Sequence, residues 1–398
     1  MTAPADRRDL RVGVVGFGWM GQVHARAFAR LLHHYPQAPL RPRLVAVADT
    51  AKDDRLAVAA EAYAIPGGHR AGVHGDWRGL VARHDVDAVS VTGPNFIHRD
   101  VAVAAAQAGK HVWVEKPVGR GLAETREVAE AVAAAGVAGT VGFNYRNAPA
   151  VQAARGLVAG GRLGRVEHVD VRLLADYSAH PQGALTWRFQ DEWAGSGVLG
   201  DLVSHGADLA RHVVGEIVEL VSDHATFIPE RPRAAASASH FSRVAGGELA
   251  PVENEDYAAA LLRFADGARG TLVASRVAVG EQCAYGIEVH GTHGALAWDF
   301  RRMGELRTCL DQDHQDAAWS TRFVTPGTGE LAAFQPGSGI AMSYDDLKVV
   351  EALRFVTSIA HAAAGGEPHG ATLDDAVAAA QVVAAMLVSA RERRWVAL

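Results

Sequence analysis

A lysine sits at the mouth of an apolar strand, pressed against a proline. The run His111-Val112-Trp113-Val114 leads directly into Glu115-Lys116-Pro117. The proline has no N–H to give to a sheet and holds the residue before it in extended geometry. Lys116 is therefore aimed past the carboxyl end of the strand, where ligands of open parallel sheets bind. An ammonium fixed there can polarise a hydroxyl or steady a developing oxyanion. A second set of groups lies in GVLGDLVSHGADLARHVVG (197–215), where Asp201, His205, Asp208 and His212 are spaced to share one helical face. Histidine titrates near neutrality and suits a general base; Asp201, one turn earlier, can steady an imidazolium or hold a hydroxyl. Gly195 and Gly197 read as room for a ligand beside Asp201 and His205, and Asp208 and His212 as a solvated face or a helix end. Spacing of four would also suit paired metal ligands, but there is no HExxH and no cysteine nearby, so no metal is expected.

The element that would place a cofactor beside Lys116 stands near the amino terminus. Strand Arg11–Val15 is followed by Gly16-Phe17-Gly18-Trp19-Met20-Gly21 and then a helical pattern. Gly16 permits a tight turn, Gly18 lets the backbone approach a pyrophosphate, and Gly21 lets helix and strand pack closely. The second strand ends in Asp49, placed to accept hydrogen bonds from an adenosine ribose and to repel a 2′-phosphate. NAD is favoured over NADP, with Lys52 and Arg55 just beyond as softening influences.

These residues need a scaffold, and the pattern supplies one. Strand-like runs at Arg11–Val15, Leu44–Ala48, Ala88–Val91, His111–Val114 and 138–142 alternate with helical runs, which predicts a doubly wound parallel sheet. After Asn144 the alternation stops. A helix over 148–159, a strand over 166–174, a helix over 196–214 and hairpin-like strands from Tyr257 to Phe300 predict an α+β domain with a large, mostly antiparallel open sheet. The division is 1–143 for the cofactor domain and 144–398 for the second. Pro229–Pro251 reads as a surface loop, 311–343 has little regular signal, and 344–364 and 373–392 read as helices.

Bulk properties narrow the classes. The chain has 398 residues, 49% apolar and 21% charged, with a net charge of −6 and only two cysteines. That is a globular balance without a basic stripe, so neither nucleic acid nor a membrane is an expected partner. The two cysteines do not make a disulfide framework, the amino terminus has no apolar signal segment, and no apolar run reads as a bilayer span. The expected location is cytoplasmic.

Together, GFGWMG after the first strand, Gly93-Pro94-Asn95 with His98, AGKHVWVEKP and Asp201-x-x-x-His205 resemble the Gfo/Idh/MocA oxidoreductase family over nearly the whole chain. Within it, LTWRFQDEWAGSGVLGDLVSH (185–205) and FIPERP (227–232) look most like levoglucosan dehydrogenases, with inositol dehydrogenases next. Family members commonly have Thr-Pro-Asn where this chain has Gly93-Pro94-Asn95. The resemblance implies an NAD-binding Rossmann domain and a second domain whose open sheet joins copies into a homodimer or homotetramer. It implies that Lys116 bonds the reacting hydroxyl near the nicotinamide ribose, that His205 accepts the proton, and that Asp201 binds and orients the substrate. Asn95, His98 and Glu115 help form the nicotinamide pocket, and Asn144, Tyr145 and Arg146 line the substrate site. Trp187 and Arg188 suit a sugar, an indole face covering C–H bonds and a guanidinium bonding hydroxyls. The expected reaction is NAD-dependent oxidation of a secondary hydroxyl of a sugar, anhydrosugar (C3 of a levoglucosan-like ring) or cyclitol. Glycoside hydrolysis through transient oxidation, and non-catalytic sensing of a nucleotide or sugar, are the alternatives.

Overall fold

The computed structural model describes residues 7–50, 55–63, 71–233, 242–310, 314–363 and 365–398. In chain order it begins β1 (Asp9–Val15), α1 (Trp19–His34), β2 (Arg41–Ala48), α2 (Arg55–Ala62), β3 (Gly72–His74), α3 (Trp77–Val81), β4 (Ala88–Val91), α4 (Asn95–Gln107), β5 (His111–Val114), α5 (Leu122–Ala135) and β6 (Gly139–Val141). These strands pair in the order β3-β2-β1-β4-β5-β6, every pairing parallel. That is the doubly wound order whose switch point lies between β1 and β4. Val12, Val14, Val89, Val91, Val112 and Val114 are all fully buried, as strands covered on both faces must be. β3 escapes the sequence pattern because three residues are too few to show a period.

Contacts divide the chain into two compact units: 1–119, 123–144 and 343–377 form one, and 120–122, 145–342 and 378–398 the other. The stretch 343–377 thus returns to the first unit, which a continuous boundary after residue 143 does not include. The cause is α9 (Tyr344–Ala362), which packs along α1. Arg26 and Arg30 on α1 pair with Asp345 and Asp346 in its first turn at 2.6 and 2.5 Å.

The second unit holds α6 (Pro149–Ala159), β7 (Val166–Leu174), α7 (Asp191–Ala194), α8 (Ser204–Val213), β8 (Ile217–Ala225), the short ribbon β9 (Glu230–Pro232) with β10 (Leu249–Pro251), β11 (Tyr257–Phe264), β12 (Arg269–Ser275), β13 (Ala284–Gly291), β14 (Gly294–Asp299), β15 (Glu305–Leu310), β16 (Ser320–Phe323) and β17 (Val396–Ala397). Nine strands form one sheet, β16-β15-β14-β13-β7-β12-β11-β8-β17, antiparallel except where β12 meets β7. Its buried face alternates with an exposed one, as in β11, where Ala258, Ala260, Leu262 and Phe264 point inward.

Two expectations change here. Pro229–Pro251 is not simply loop: its ends pair as β9 and β10, while 234–241 lie outside the described residues. Arg231 in this ribbon is fully buried, donates to the carbonyls of His180 (3.0 Å) and Ser178 (2.5 Å), and stacks on Phe189. Also, α10 (Leu373–Glu392) is long and apolar enough by length and composition to cross a bilayer. Its Ala376, Ala379, Val382 and Met386 are buried, so part of its apolar surface packs within the fold.

Candidate functional site

The glycine loop has the shape its spacing suggests. Gly16 has φ +82°, and a side chain there would overlap the backbone of Gly93. A Cβ on Gly21 would overlap the Gly16 carbonyl, so these glycines are required by close approach. Gly18 faces open space and is the N-cap of α1, which has no side-chain cap and no acid in its first turn. Its N–H groups are thus left for an anion. Phe17 turns into the core beside Tyr63, so only its backbone can serve a ligand; Trp19 is 65% exposed against Tyr344, with Met20 next to it. Asp49 directly follows β2 and accepts the Phe17 N–H at 2.6 Å, tying the acid to the loop. Lys52 lies outside the described residues. Thr92, which sequence reasoning passed over, braces the turn: its hydroxyl donates to the carbonyl of Gly16 at 2.6 Å.

Lys116 follows β5, and the Lys116–Pro117 peptide is cis. Asn95 opens α4 after Pro94, the N-cap. His98 is buried with Nδ1 2.7 Å from the Pro117 carbonyl oxygen and Nε2 2.8 Å from that of Gly93, so it links the two loops flanking the lysine. Burial pushes its pKa down. Glu115 is buried too, and its carboxylate is turned to protein partners, His24 and Lys348. Asn144 is fully buried, and neither end of its amide has a protein hydrogen-bond partner. A buried amide left open on both ends calls for a ligand or ordered water. The open helix end and the open space over Gly18 fit a dinucleotide.

In the second unit the helix carrying Asp201 and His205 is not uniform. Leu199–Val203 is a π-helical turn, with Ser204 N–H bonded to the Leu199 carbonyl, and α8 follows. The turn is wider than an α-turn, and such bulges are frequent at functional sites. Asp201 accepts the Tyr177 hydroxyl at 2.5 Å and has Arg188 at 3.9 Å, whose guanidinium lies over Trp187. Burial and the Asp201 charge raise the Tyr177 pKa well above its ordinary value, so it stays a donor. His205 is 6% exposed and packs against the Tyr145 ring, 4.5 Å between centroids. Tyr285 and Phe300 extend the same aromatic wall from Tyr145.

Asp208 and His212 do not form a solvated face. Asp208 is buried and paired in two-pronged fashion with Arg146, and His212 meets Gln152 at 3.2 Å. Arg146 therefore braces α8. Gly195 and Gly197 do not make ligand space either: a Cβ on each would overlap the carbonyls of Arg120 and Glu255. Those glycines let Glu255 receive the N–H groups of Gly197 (2.8 Å) and Leu199 (2.9 Å) and so anchor the helix start. Beside it, Asn254 donates to the Arg188 carbonyl at 3.0 Å, and Asp256 holds the buried Arg276 at 2.8 Å. Three consecutive polar residues ahead of an apolar strand were the available signal for this support.

With the geometry in place, comparison decides the family. Residues 10–143 match the family described as "Oxidoreductase family, NAD-binding Rossmann fold", and 151–297 match "GFO/IDH/MocA C-terminal domain". Levoglucosan dehydrogenase of Pseudarthrobacter phenanthrenivorans is 33% identical over 392 residues, 98% of both chains. The chain belongs to the Gfo/Idh/MocA oxidoreductase family. Inositol 2-dehydrogenase of Rhizobium meliloti is 29% identical over 349 residues, 85% of this chain and 92% of its own. Among solved structures, levoglucosan dehydrogenase in complex with NADH and levoglucosan superposes with a TM-score of 0.88 at 31% identity, covering 98% and 99% of the two chains. The chain is thus an NAD-binding oxidoreductase with a parallel Rossmann sheet and a mostly antiparallel second sheet.

Proposed function

We propose that this protein is an NAD-dependent dehydrogenase that oxidises the C3 hydroxyl of a levoglucosan-like anhydrosugar to the ketone, with free pyranoses and cyclitols as weaker substrates. The observation that carries the reading is the carboxylate of Asp201 held between Tyr177 and Arg188, with His205 a turn away on an aromatic wall. A carboxylate so held accepts from sugar hydroxyls, and aromatic faces cover the C–H side of a ring. The full-length similarity to levoglucosan dehydrogenase points to the same substrate class.

NAD, when bound, supplies the hydride acceptor. The chain's own groups handle the proton and the substrate. In this reading Lys116 donates to the reacting hydroxyl and stabilises alkoxide character, and His205 takes the proton as general base. Asp201 fixes a neighbouring hydroxyl, with Trp187, Arg188, Tyr145 and Asn144 shaping the rest. Gly16, Gly18, the backbone of Phe17, Trp19 and Met20, and Asp49, Asn95 and His98 hold the cofactor. Arg146 and Glu115 act from behind these groups. Residues 1–143 supply the cofactor site and Lys116, while 144–398 supply the other substrate groups and the sheet through which copies pair. Purified enzyme with NAD should reduce it steadily when levoglucosan is added, faster than with myo-inositol or glucose. Cleavage of a glycoside without accumulation of NADH would instead establish the hydrolytic alternative.

A further inference from the structure

Behind the Glu115-Lys116-Pro117 turn lies a fully enclosed charged cluster drawn from distant parts of the chain. Glu115 Oε1 meets His24 Nε2 of α1 at 2.9 Å and the ammonium of Lys348 of α9. Lys348 also pairs with Glu351 at 2.7 Å, and His24 Nδ1 lies 2.7 Å from the Ser90 hydroxyl of β4. Lys348 and His24 are 0% exposed, and Trp113 stacks on the His24 ring at 3.8 Å. The second oxygen of Glu115 receives the backbone N–H of Lys116 at 3.3 Å. A Cβ on Gly142 would overlap this carboxylate, so β6 closes the remaining side. An enclosed ammonium, two carboxylates and an imidazole are costly to bury, and apolar packing would stabilise the fold as well or better. The pair is adjacent to the lysine assigned to the reaction.

We propose that Lys348 is a positioning residue: it keeps Glu115 ionised and fixed, and Glu115 in turn holds the Lys116 peptide in its reactive setting. This inference rests on the assignment of Lys116 above. The titratable and charged groups around Glu115 are His24, Lys348, the buried His98, whose pKa burial also pushes down, the adjacent Lys116 and, through Lys348, Glu351. Burial lowers the His24 pKa to about 4, so the ring is neutral and Lys348 is the cluster's cation. Burial works to raise the Glu115 pKa, but Lys348 and His24 bring it well below the usual carboxylate range. The residue therefore stays charged at every working pH. Without the ammonium it is a buried carboxylate beside a neutral ring, and its pKa rises toward neutrality.

The test is the paired variant Lys348→Met/Glu351→Gln, which removes one charge of each sign. It should retain NADH affinity and sugar KM within about threefold while kcat falls about tenfold or more. Its acid limb, set in wild type by protonation of His205 alone, should move to higher pH or steepen to a two-proton slope as Glu115 also becomes protonated. Lys348→Arg keeps the cation and should keep the wild-type acid side. If the paired variant does not fold, Lys348→Gln is read the same way. An unchanged profile in the charge-removing variant, a displaced or steepened acid limb in Lys348→Arg, or a kcat loss matched by lost NADH binding would overturn the proposal. Wild-type activity on the sugar panel is scored separately: its absence defeats the functional reading, whereas the variants' profiles judge Lys348.

Discussion

Tyr177→Phe isolates one hydroxyl on which the substrate reading depends. The ring stays and only the O–H that donates to Asp201 at 2.5 Å is removed. A hydrogen bond to a charged acceptor contributes about 1.5–3 kcal/mol. If Asp201 must be held to grip the substrate in the transition state, that energy appears in kcat/KM. At about 1.4 kcal/mol per decade the loss is about 10- to 150-fold. NADH affinity should stay within about twofold of wild type, because Asp201 is assigned to the sugar. The assay is initial rate against levoglucosan at saturating NAD, with NADH binding measured by fluorescence. Repeating the substitution in an Asp201→Asn background should show most of the penalty gone, since neighbouring groups acting as a unit are non-additive. A kcat/KM within twofold of wild type for Tyr177→Phe, or an equal loss of NADH affinity, would refute the argument that Tyr177 works by holding Asp201.

Other outcomes follow from the same geometry. Gly16→Ala puts a side chain at φ +82° against the Gly93 backbone and should abolish NADH binding; binding within threefold of wild type would contradict the loop's role. Asp49→Ser should lower the NAD-over-NADP preference at least about tenfold, read as the ratio of kcat/KM values; an unchanged ratio would leave the acid a purely structural tie to Phe17. Lys116→Ala should reduce kcat far more than NADH affinity, and equal losses would make the lysine a cofactor holder only. Stability should also fall with acid. The folded chain refuses a proton at His24 down to about pH 4, whereas the unfolded chain accepts one near 6.5. Stability is thus fully present above the unfolded value and lost as pH drops between the two, about 2 kcal/mol by about pH 5. Chemical unfolding that is flat from about pH 7.5 to 5 would contradict a neutral, buried His24.

The first unit was largely legible because its signals are local. A glycine loop between strand and helix, a proline after Lys116 and short apolar runs each fix their own neighbourhood. What lay beyond sequence reasoning was built by distant partners. Lys348 reads as an ordinary helix lysine until α9 folds back onto α1 and buries it against Glu115, 233 positions away. Asp208 looked solvated because its partner Arg146 is 62 positions upstream. The glycines before Asp201 looked like ligand space because the pieces that fill it, Arg120 and Glu255, come from elsewhere in the chain. The π-turn at Leu199–Val203 has no distinct residue pattern, so the stretch reads as plain α-helix in sequence. Strands such as β8, β15 and β17 take their places from the sheet that receives them more than from their own alternation.

Isotope transfer reaches the central claim most directly. Levoglucosan bearing deuterium at C3 should be turned over with NAD to give one deuterium in each reduced nicotinamide and a 3-keto product. Reduced cofactor carrying only protium, or no reduced cofactor while a glycoside is cleaved, would contradict the account.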